Sequence, residues 1–484
     1  MPRSILLANL VRPVWQDGPF RVEGPDEDAF TLGLEALEGL ERQVQAEGSQ
    51  ALRRIHLVGS FSPEAEWAYG EALGLPGLEV RQHPPGASGL WGALAAAAHE
   101  QSSNGREAVV AADVASVSPE TTGGSRVQQG AGAVAFLLGD ERGLAVLRHG
   151  FRSHALGRVP SLKDSIAGWL DALDLSATGV EAEAVLSTEE DPARWQAAWE
   201  ETAPGISLTL AHAPAVPGGA APTLPAAQLL WELGRRLRTG GTGIVIESVR
   251  GRSGFAGFRL EGPVRWLGSW ASHGAGRNPP GVRFLDRAFA VTAVSQGAYV
   301  PHPRYQENLA SRWRLEGERC AHCGALTFPT TGRCRWCGRN DGLRAESLPR
   351  TDLEVEAVTT ISSGAQPTEF DPLVDSVGAY DVALVSLAPD VRATVQVTDS
   401  EPGRLRIHDR VGLVLRRLYA MEGEWRYGLK AVPVTDDARR PESAPDVSRS
   451  SRSRRGASSG VPTARRATPR ARGGRPGPRR RPGR

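Results

Sequence analysis

The sequence predicts an α/β protein, with helices layered on a buried sheet, followed by a cysteine-stapled ribbon, a small β-barrel and a basic tail. Three observations predict it. Over residues 1–265, short β-branched or aliphatic runs alternate with Ala- and Leu-rich amphipathic stretches, the rhythm of βα units around a buried sheet. All four cysteines of the 484-residue chain lie in one window, Cys320 to Cys337. From Leu353 to Val434 the sequence is strand-rich and broken at Gly364, Pro367, Pro372, Pro389, Pro402 and Gly403, the pattern of a small barrel.

The elements follow in order. Strands are expected at Arg54–Gly59, Glu107–Ala112, Ala131–Gly139, Ile206–Ala211 and Gly243–Glu247, where apolar residues run nearly unbroken. Helices are expected at Asp28–Glu47, Ser88–Glu100, Ser161–Ala172, Pro192–Glu201 and Pro225–Thr239, where they recur at helical spacing. Asp28 follows Pro25 and precedes an apolar stripe, so it is expected to be an N-cap. Residues 266–300, rich in Gly, Pro and Trp, read as a connector. From Tyr305 to Glu316 one helix is expected, with Tyr305, Leu309, Trp313 and Leu315 on one sticky face. The expected organisation is therefore 1–265 layered α/β, 266–300 connector, 301–345 helix and ribbon, 346–437 barrel and 438–484 tail.

Charge is unevenly distributed. The net charge is +2, yet residues 438–484 hold fifteen Arg against Glu442 and Asp446, so the rest of the chain carries eleven more acids than bases. The tail has almost no large apolar residue and is expected to be disordered. It has no aromatic for base stacking, and Leu353–Val434 has twelve acidic residues against eight basic ones, which argues against a nucleic-acid binder. No apolar run reaches the roughly 18 residues of a spanning helix. A cytoplasmic protein with no membrane partner is the expectation.

Cys320, Cys323, Cys334 and Cys337 form two C-x2-C knuckles ten residues apart, and two such knuckles can meet at the corners of a tetrahedron. Gly324 and Gly338 follow the second cysteine of each pair, where a positive φ turns backbone N–H groups toward sulfur. With four ligand positions filled and none left for water, the site reads as structural zinc; a rubredoxin-type iron centre would use the same ligands. His322, between two ligands, is expected to face solvent.

The stretch RYQENLASRWRLEGERCAHCGALTFPTTGRCRWCG, followed by strands ending in RVGLVLRRLYAMEGEWRYGLKAVPV, resembles the acyl-CoA-associated family that joins a rubredoxin-like zinc ribbon to an OB-fold. That resemblance covers about residues 301–434. It implies a non-catalytic module that docks on thiolase-superfamily enzymes through its leading helix and ribbon, while the OB-fold helps hold a CoA-linked intermediate, with Tyr305 and Trp313 in the docking helix and Tyr427, Gly428 and Lys430 in the closing strand. The first 265 residues resemble a thiolase-superfamily chain of the hydroxymethylglutaryl-CoA synthase type, through GPDEDAFTLGLEAL, VGSFS, PGASGLWGALAAAA, VVAADV, QQGAGAVAFLLGDE and LLWELGRRLRTGGTGIVIESVRGRSGFAGFRL.

Departures from that second pattern decide what to expect. The nucleophilic cysteine aligns with His83 or Gly86, the acid/base glutamate with Phe61, the histidine with Ser187 and the asparagine near Pro222. His212 in LAHAP is available as a displaced histidine only with a deletion. Ser88 reads as a small residue needed where the turn approaches the helix, and His83 and His99 as candidate bases in altered chemistry. The expectation is a pseudoenzyme with no catalytic residues: an accessory subunit that pairs with an active thiolase-superfamily partner, with acyl-CoA as possible ligand. The runner-up is an acyl-CoA carbon–carbon bond-forming or cleaving enzyme that uses non-cysteine residues.

Overall fold

The computed structural model describes residues 3–13, 16–17, 20–21, 24, 26–46, 52–99, 105–114, 116–119, 125–129, 131–153, 161–175, 182–188, 191–210, 223–237, 241–249, 252–267, 301–421 and 424–434. His212, Pro222, most of the connector (268–300) and the tail (438–484) lie outside the described residues.

The strands, in chain order, are β1 Ser4–Val11, β2 Gln16–Asp17, β3 Phe20–Arg21, β4 Leu52–Gly59, β5 Glu79–His83, β6 Arg106–Asp113, β7 Ser116–Pro119, β8 Ser125–Gln129, β9 Gly132–Gly139, β10 Leu144–Ser153, β11 Ala182–Thr188, β12 Ile206–Leu210, β13 Thr242–Val249, β14 Arg252–Leu260, β15 Arg265–Leu267, β16 Glu316–Cys320, β17 Leu326–Thr327, β18 Leu343–Ser347, β19 Leu353–Ser362, β20 Ala379–Ala388, β21 Val391–Gln396, β22 Arg410–Met421 and β23 Glu424–Pro433. The helices are α1 Ala29–Ala46, α2 Ala65–Leu73, α3 Ala87–His99, α4 Leu162–Ala172, α5 Pro192–Thr202, α6 Thr223–Arg236, α7 His302–Glu307, α8 Leu309–Arg314 and α9 Asp371–Val377.

The first sheet is built twice from one plan. Strands β5-β4-β6-β9-β1 form one half and β12-β11-β13-β14-β10 the other. In each half the first three neighbours are parallel and the last two join antiparallel. Each half also runs β-α-β-α-β-α-β-β along the chain, apart from the small β2–β3 and β7–β8 ribbons of the first. The halves meet where β1 pairs antiparallel with β10, Ser4 opposite Ala145.

Burial sorts the helices into layers. Ile55 and Leu57 of β4 pack with α1 and α2 in one core. Val58, Val109 and Ala111, on the opposite face, join α3, α6 and strands of both halves in a second. The third core sets Trp169 of α4 and Trp195 of α5 against β11 and β13, the two indoles stacked at 6.0 Å. The result is the expected αβαβα arrangement, with α3 and α6 as the shared central layer.

Local chemistry fixes the ends of these elements. Asp28 is the N-cap of α1, its Oδ1 accepting from the Thr31 N–H at 2.8 Å while Thr31 Oγ1 accepts from the Asp28 N–H at 2.9 Å. Asp113, at the end of β6, accepts from the Leu224 N–H in the first turn of α6 at 2.9 Å. The expected single helix over Tyr305–Glu316 is instead two short ones, α7 and α8, that meet at Asn308. Leu315 ends α8 with φ +59°, a conformation that stops the helix before the ribbon begins.

β16, β17 and β18 form the ribbon sheet. Beyond it β21-β20-β19-β22-β23 curl into a barrel, closed where Val397 bridges Ala431 in parallel and the Thr398 N–H reaches the Ala431 carbonyl at 2.9 Å. That pairing order is the one an OB-fold has. Its helix, α9, lies between the first and second barrel strands. No helix among the described residues is long and apolar enough to cross a membrane.

Candidate functional site

The metal centre is built by two tight turns. Gly324 and Gly338 take φ +72° and +74°, and their N–H groups reach the carbonyls of Cys320 and Cys334 at 2.9 and 3.0 Å. The four Sγ atoms lie within 4.8 Å of one another, with Cys320–Cys337 at 3.7 Å and Cys323–Cys334 at 3.5 Å. A tetrahedron with metal–sulfur bonds near 2.3 Å has edges of about 3.8 Å, so the donor set fits one soft divalent ion.

Electrostatics point the same way. The backbone N–H groups of Cys337 and Trp336 bring the Cys334 thiol down to about 6, and those of Cys323 and His322 lower Cys320. At Cys323 the Ala325 N–H works against burial and the neighbouring sulfurs, which together push that thiol up to about 12. Four thiolates this close repel one another unless a cation sits between them. His322 is exposed and meets Asp341 at 3.2 Å, away from the sulfurs.

The residues expected on a docking face come together, but the face they meet is the chain's own. Tyr305 and Trp313 are 5% and 2% exposed. Around Phe30 of α1 stand the rings of Tyr427 at 5.2 Å edge-on, Trp313 at 6.1 Å and Tyr69 of α2 at 5.1 Å, and Tyr305 packs on Trp313 at 6.5 Å. Trp313 Nε1 donates to the Tyr305 hydroxyl at 3.0 Å, which donates to the Tyr427 carbonyl at 3.0 Å. The Tyr427 hydroxyl donates to Asp28 at 2.9 Å, so the cap of α1 also anchors the barrel.

Charge completes this junction, with cations of the ribbon and barrel meeting acids of α1, α2 and the segment before α1. Lys430, 1% exposed, meets Asp26 at 2.9 Å. Arg416 reaches Glu35 at 2.9 Å, Glu27 at 3.1 Å and Asp399 at 3.3 Å. Arg350 binds Glu38 at 2.7 Å, and Arg314 donates to the Glu71 carbonyl at 2.7 Å. Burial raises Glu27 to about 8 against the pull of Arg416, and raises Asp399 to about 6. Asp26, equally buried, is held below its ordinary value by Lys430 and Arg416.

Beside this junction lies a cavity of about 660 Å³. Phe61, Trp67, Trp313 and Trp425 supply apolar walls; Asp28, Arg417 and Arg426 bring charge. Arg417 stacks on Trp425 with its guanidinium carbon 4.5 Å from the ring centre. Phe61, where the resemblance led one to expect a glutamate, forms part of the cavity wall.

The turn expected to carry a nucleophile has the right shape and no thiol. His83 ends β5, Gly86 has φ +95°, and α3 starts at Ala87. Ser88 is exposed; the close approach read there belongs to Gly89, where a Cβ would stand 1.7 Å from the Pro84 carbonyl oxygen. His99 is the exposed last residue of α3, and Ser187 lies in β11 opposite Glu247.

One cluster goes beyond the sequence expectations. His56 and Glu107, both fully buried, meet at 3.3 Å, and His56 Nδ1 lies 2.9 Å from His83 Nε2. Arg3 and Arg54 hold the other Glu107 oxygen at 2.7 and 2.8 Å. Burial works to raise Glu107, and the His56 bond with the two arginines wins, keeping it below the ordinary range. The signal in the sequence is the alternation Arg54, His56 and Glu79, Arg81, His83 in strands otherwise apolar on that face.

No family model matches the chain. Solved structures similar to it include 3-oxoacyl-(acyl carrier protein) synthase III of Pseudomonas aeruginosa, at 16% identity over 56% of this chain and 100% of that one with TM-score 0.36. A hydroxymethylglutaryl-CoA synthase complexed with CoA shows 15% identity over 55% of this chain and 83% of that one, TM-score 0.37. Two curated relatives are each called a DUF35 domain-containing scaffold protein. The one from Methanothermobacter thermautotrophicus is 30% identical over 135 residues, 27% of this chain and 96% of its own. That from Methanocaldococcus jannaschii is 26% identical over 134 residues, 27% of this chain and 89% of its own. Through that segment, close in length to the ribbon and barrel at 301–434, the chain belongs to the family of DUF35 domain-containing scaffold proteins.

Proposed function

We propose that the protein is a non-catalytic accessory subunit of acyl-CoA metabolism in the cytoplasm, which binds an active thiolase-superfamily enzyme and helps hold its CoA-linked intermediate. One observation carries this reading. Acyl transfer of this type needs a thiolate at a helix N-terminus, and the strand–turn–helix at β5 and α3 offers His83, Pro84, Pro85, Gly86, Ala87 and Ser88, while every thiol of the chain is committed to the ribbon.

The four ribbon sulfurs would hold zinc, which supplies rigidity to a strand cluster too small for its own core. The cavity at Phe61, Trp67 and Trp425 has the size and apolar walls to accept an acyl-pantetheine arm, with Arg417 and Arg426 in its lining. The partner contributes the cysteine. The purified chain alone is expected to leave acetoacetyl-CoA and β-hydroxyacyl-CoA substrates unchanged, as followed by loss of thioester absorbance. Turnover at an enzymatic rate would contradict the reading.

The line Glu107, His56, His83 favours a second one, an acyl-CoA carbon–carbon bond-forming or cleaving enzyme with His83 as base. A buried carboxylate behind an imidazole stabilises the cation that forms when a proton is taken. This reading predicts turnover by the chain alone, lost on His83→Ala.

A further inference from the structure

The cavity beside the junction of α1 and the barrel has apolar walls of one kind. Its apolar side chains are aromatic or alanine, with no leucine, isoleucine, valine or methionine among the described residues that line it. Phe30, Tyr305 and Trp313 are its buried rings, whereas Phe61 and Trp425 are half-buried and Trp67 stands 48% exposed. Ala29, Ala65 and Ala68 add only methyl groups. The polar atoms of the inner rings are already used. Trp313 Nε1 donates to the Tyr305 hydroxyl, which donates to the Tyr427 carbonyl, and the Tyr427 hydroxyl donates to Asp28. Those bonds fix the rings before anything binds. Charge is balanced within the lining too: Arg426 meets Glu424 at 2.8 Å, and Arg417 lies on the Trp425 ring with Asp28 at 3.8 Å.

We infer that the acyl group held in this cavity is a neutral, planar ring system, an aryl or fused-ring acyl group carried as its CoA thioester, and that it covers Trp67. The inference rests on the proposed placement of an acyl-pantetheine arm here and adds the class of acyl group. Fixed ring faces favour a flat occupant, because offset and edge-on stacking contribute beyond the buried area. A straight chain gains area alone and must freeze its rotors to do so. The adaptable aliphatic side chains that would mould to it are missing from the walls. A charged acyl end fits less well, since the arginines of the lining already face acids. A ring ligand also accounts for Trp67, an indole half in water on a protein that buries Trp91, Trp169 and Trp231 almost completely.

The test uses the full chain with its metal bound and two probes of similar carbon number, naphthoyl-CoA and decanoyl-CoA. On buried area alone the decanoyl probe binds at least as well, so tighter binding of naphthoyl-CoA reports stacking. Titration calorimetry is expected to show naphthoyl-CoA about tenfold tighter. It should also protect Trp67 from oxidative labelling, while Trp336, 84% exposed on the ribbon, is labelled as before. Phe61→Leu with Trp67→Leu, at one metal per chain, is expected to bring the two probes within about twofold of each other. Labelling is read on the parent chain, so it decides the matter even where the double variant fails to fold. Decanoyl-CoA binding as tightly as naphthoyl-CoA, or naphthoyl-CoA binding that leaves Trp67 labelled, would overturn the ring inference while the accessory role stands. If neither probe binds or protects Trp67, the pantetheine arm lies outside this cavity, and its placement falls together with the ring inference.

Discussion

Lys430 and Cys334 show how single side chains decide this molecule. Lys430 is one of only two lysines, and it is buried against Asp26 from 404 positions away. Replacing it by Met removes the cation and leaves Asp26 buried beside the remaining acids. Losing one partner of a buried pair costs on the order of 3 to 5 kcal/mol, to be read as a lower urea midpoint. The double change Lys430→Met with Asp26→Leu is expected to recover most of that loss. Cys334→Ser is expected to abolish stoichiometric metal and unfold the ribbon, a site worth roughly 10 to 16 kcal/mol in zinc-bound peptides. Hydrogen exchange should still protect β4, β6 and β9, whose packing lies in other layers; metal retained at one per chain would contradict the assignment. The cysteine cluster was legible because its chemistry sits in one short window. The Asp26–Lys430 pair was not, since no local pattern links residues so far apart.

The junction between α1 and the barrel is where element-scale predictions belong. Glu27 has its carboxyl raised to about 8 in the folded chain, mainly by burial, so the fold binds its proton more tightly than the unfolded chain does. Its contribution is therefore fully present below about 4.5 and is lost as pH rises toward 8. Glu27→Ala should cost more stability at pH 5 than at pH 8.5, measured as the difference in melting temperature from the parent chain. A cost that grows with pH would contradict this account of the junction. Trp313→Ala removes an indole packed against Phe30, Trp67 and Tyr427 and should cost about 3 to 5 kcal/mol, with enhanced exchange in α2 and β23 alike. Strands such as β6 and β13 were legible from their unbroken apolar runs. β5 was not, because Glu79, Arg81 and Gln82 make a half-buried edge strand read as loop. The break at Asn308 was hidden too, because Tyr305, Leu309 and Trp313 keep helical spacing across it and all end buried.

At the scale of the whole molecule, the first sheet is one plan used twice. Each half repeats the same order of strands and helices with different residues, so the repeat shows in topology and not in sequence. What the sequence did show is that the turn before α3 holds Gly86 and no thiol. The covalent fusion also changes what docking means. The helices that resemble a docking element already bind the chain's own first layers, through Phe30 and the acids of α1.

The most direct measurement is the composition of the complex purified under native conditions, at moderate salt, from the organism that makes it, weighed intact by mass spectrometry. The account predicts a near-stoichiometric second chain of the thiolase superfamily that carries its own catalytic cysteine, with one metal ion on this one. A chain recovered alone that turns over acyl-CoA and loses that activity on His83→Ala would contradict it.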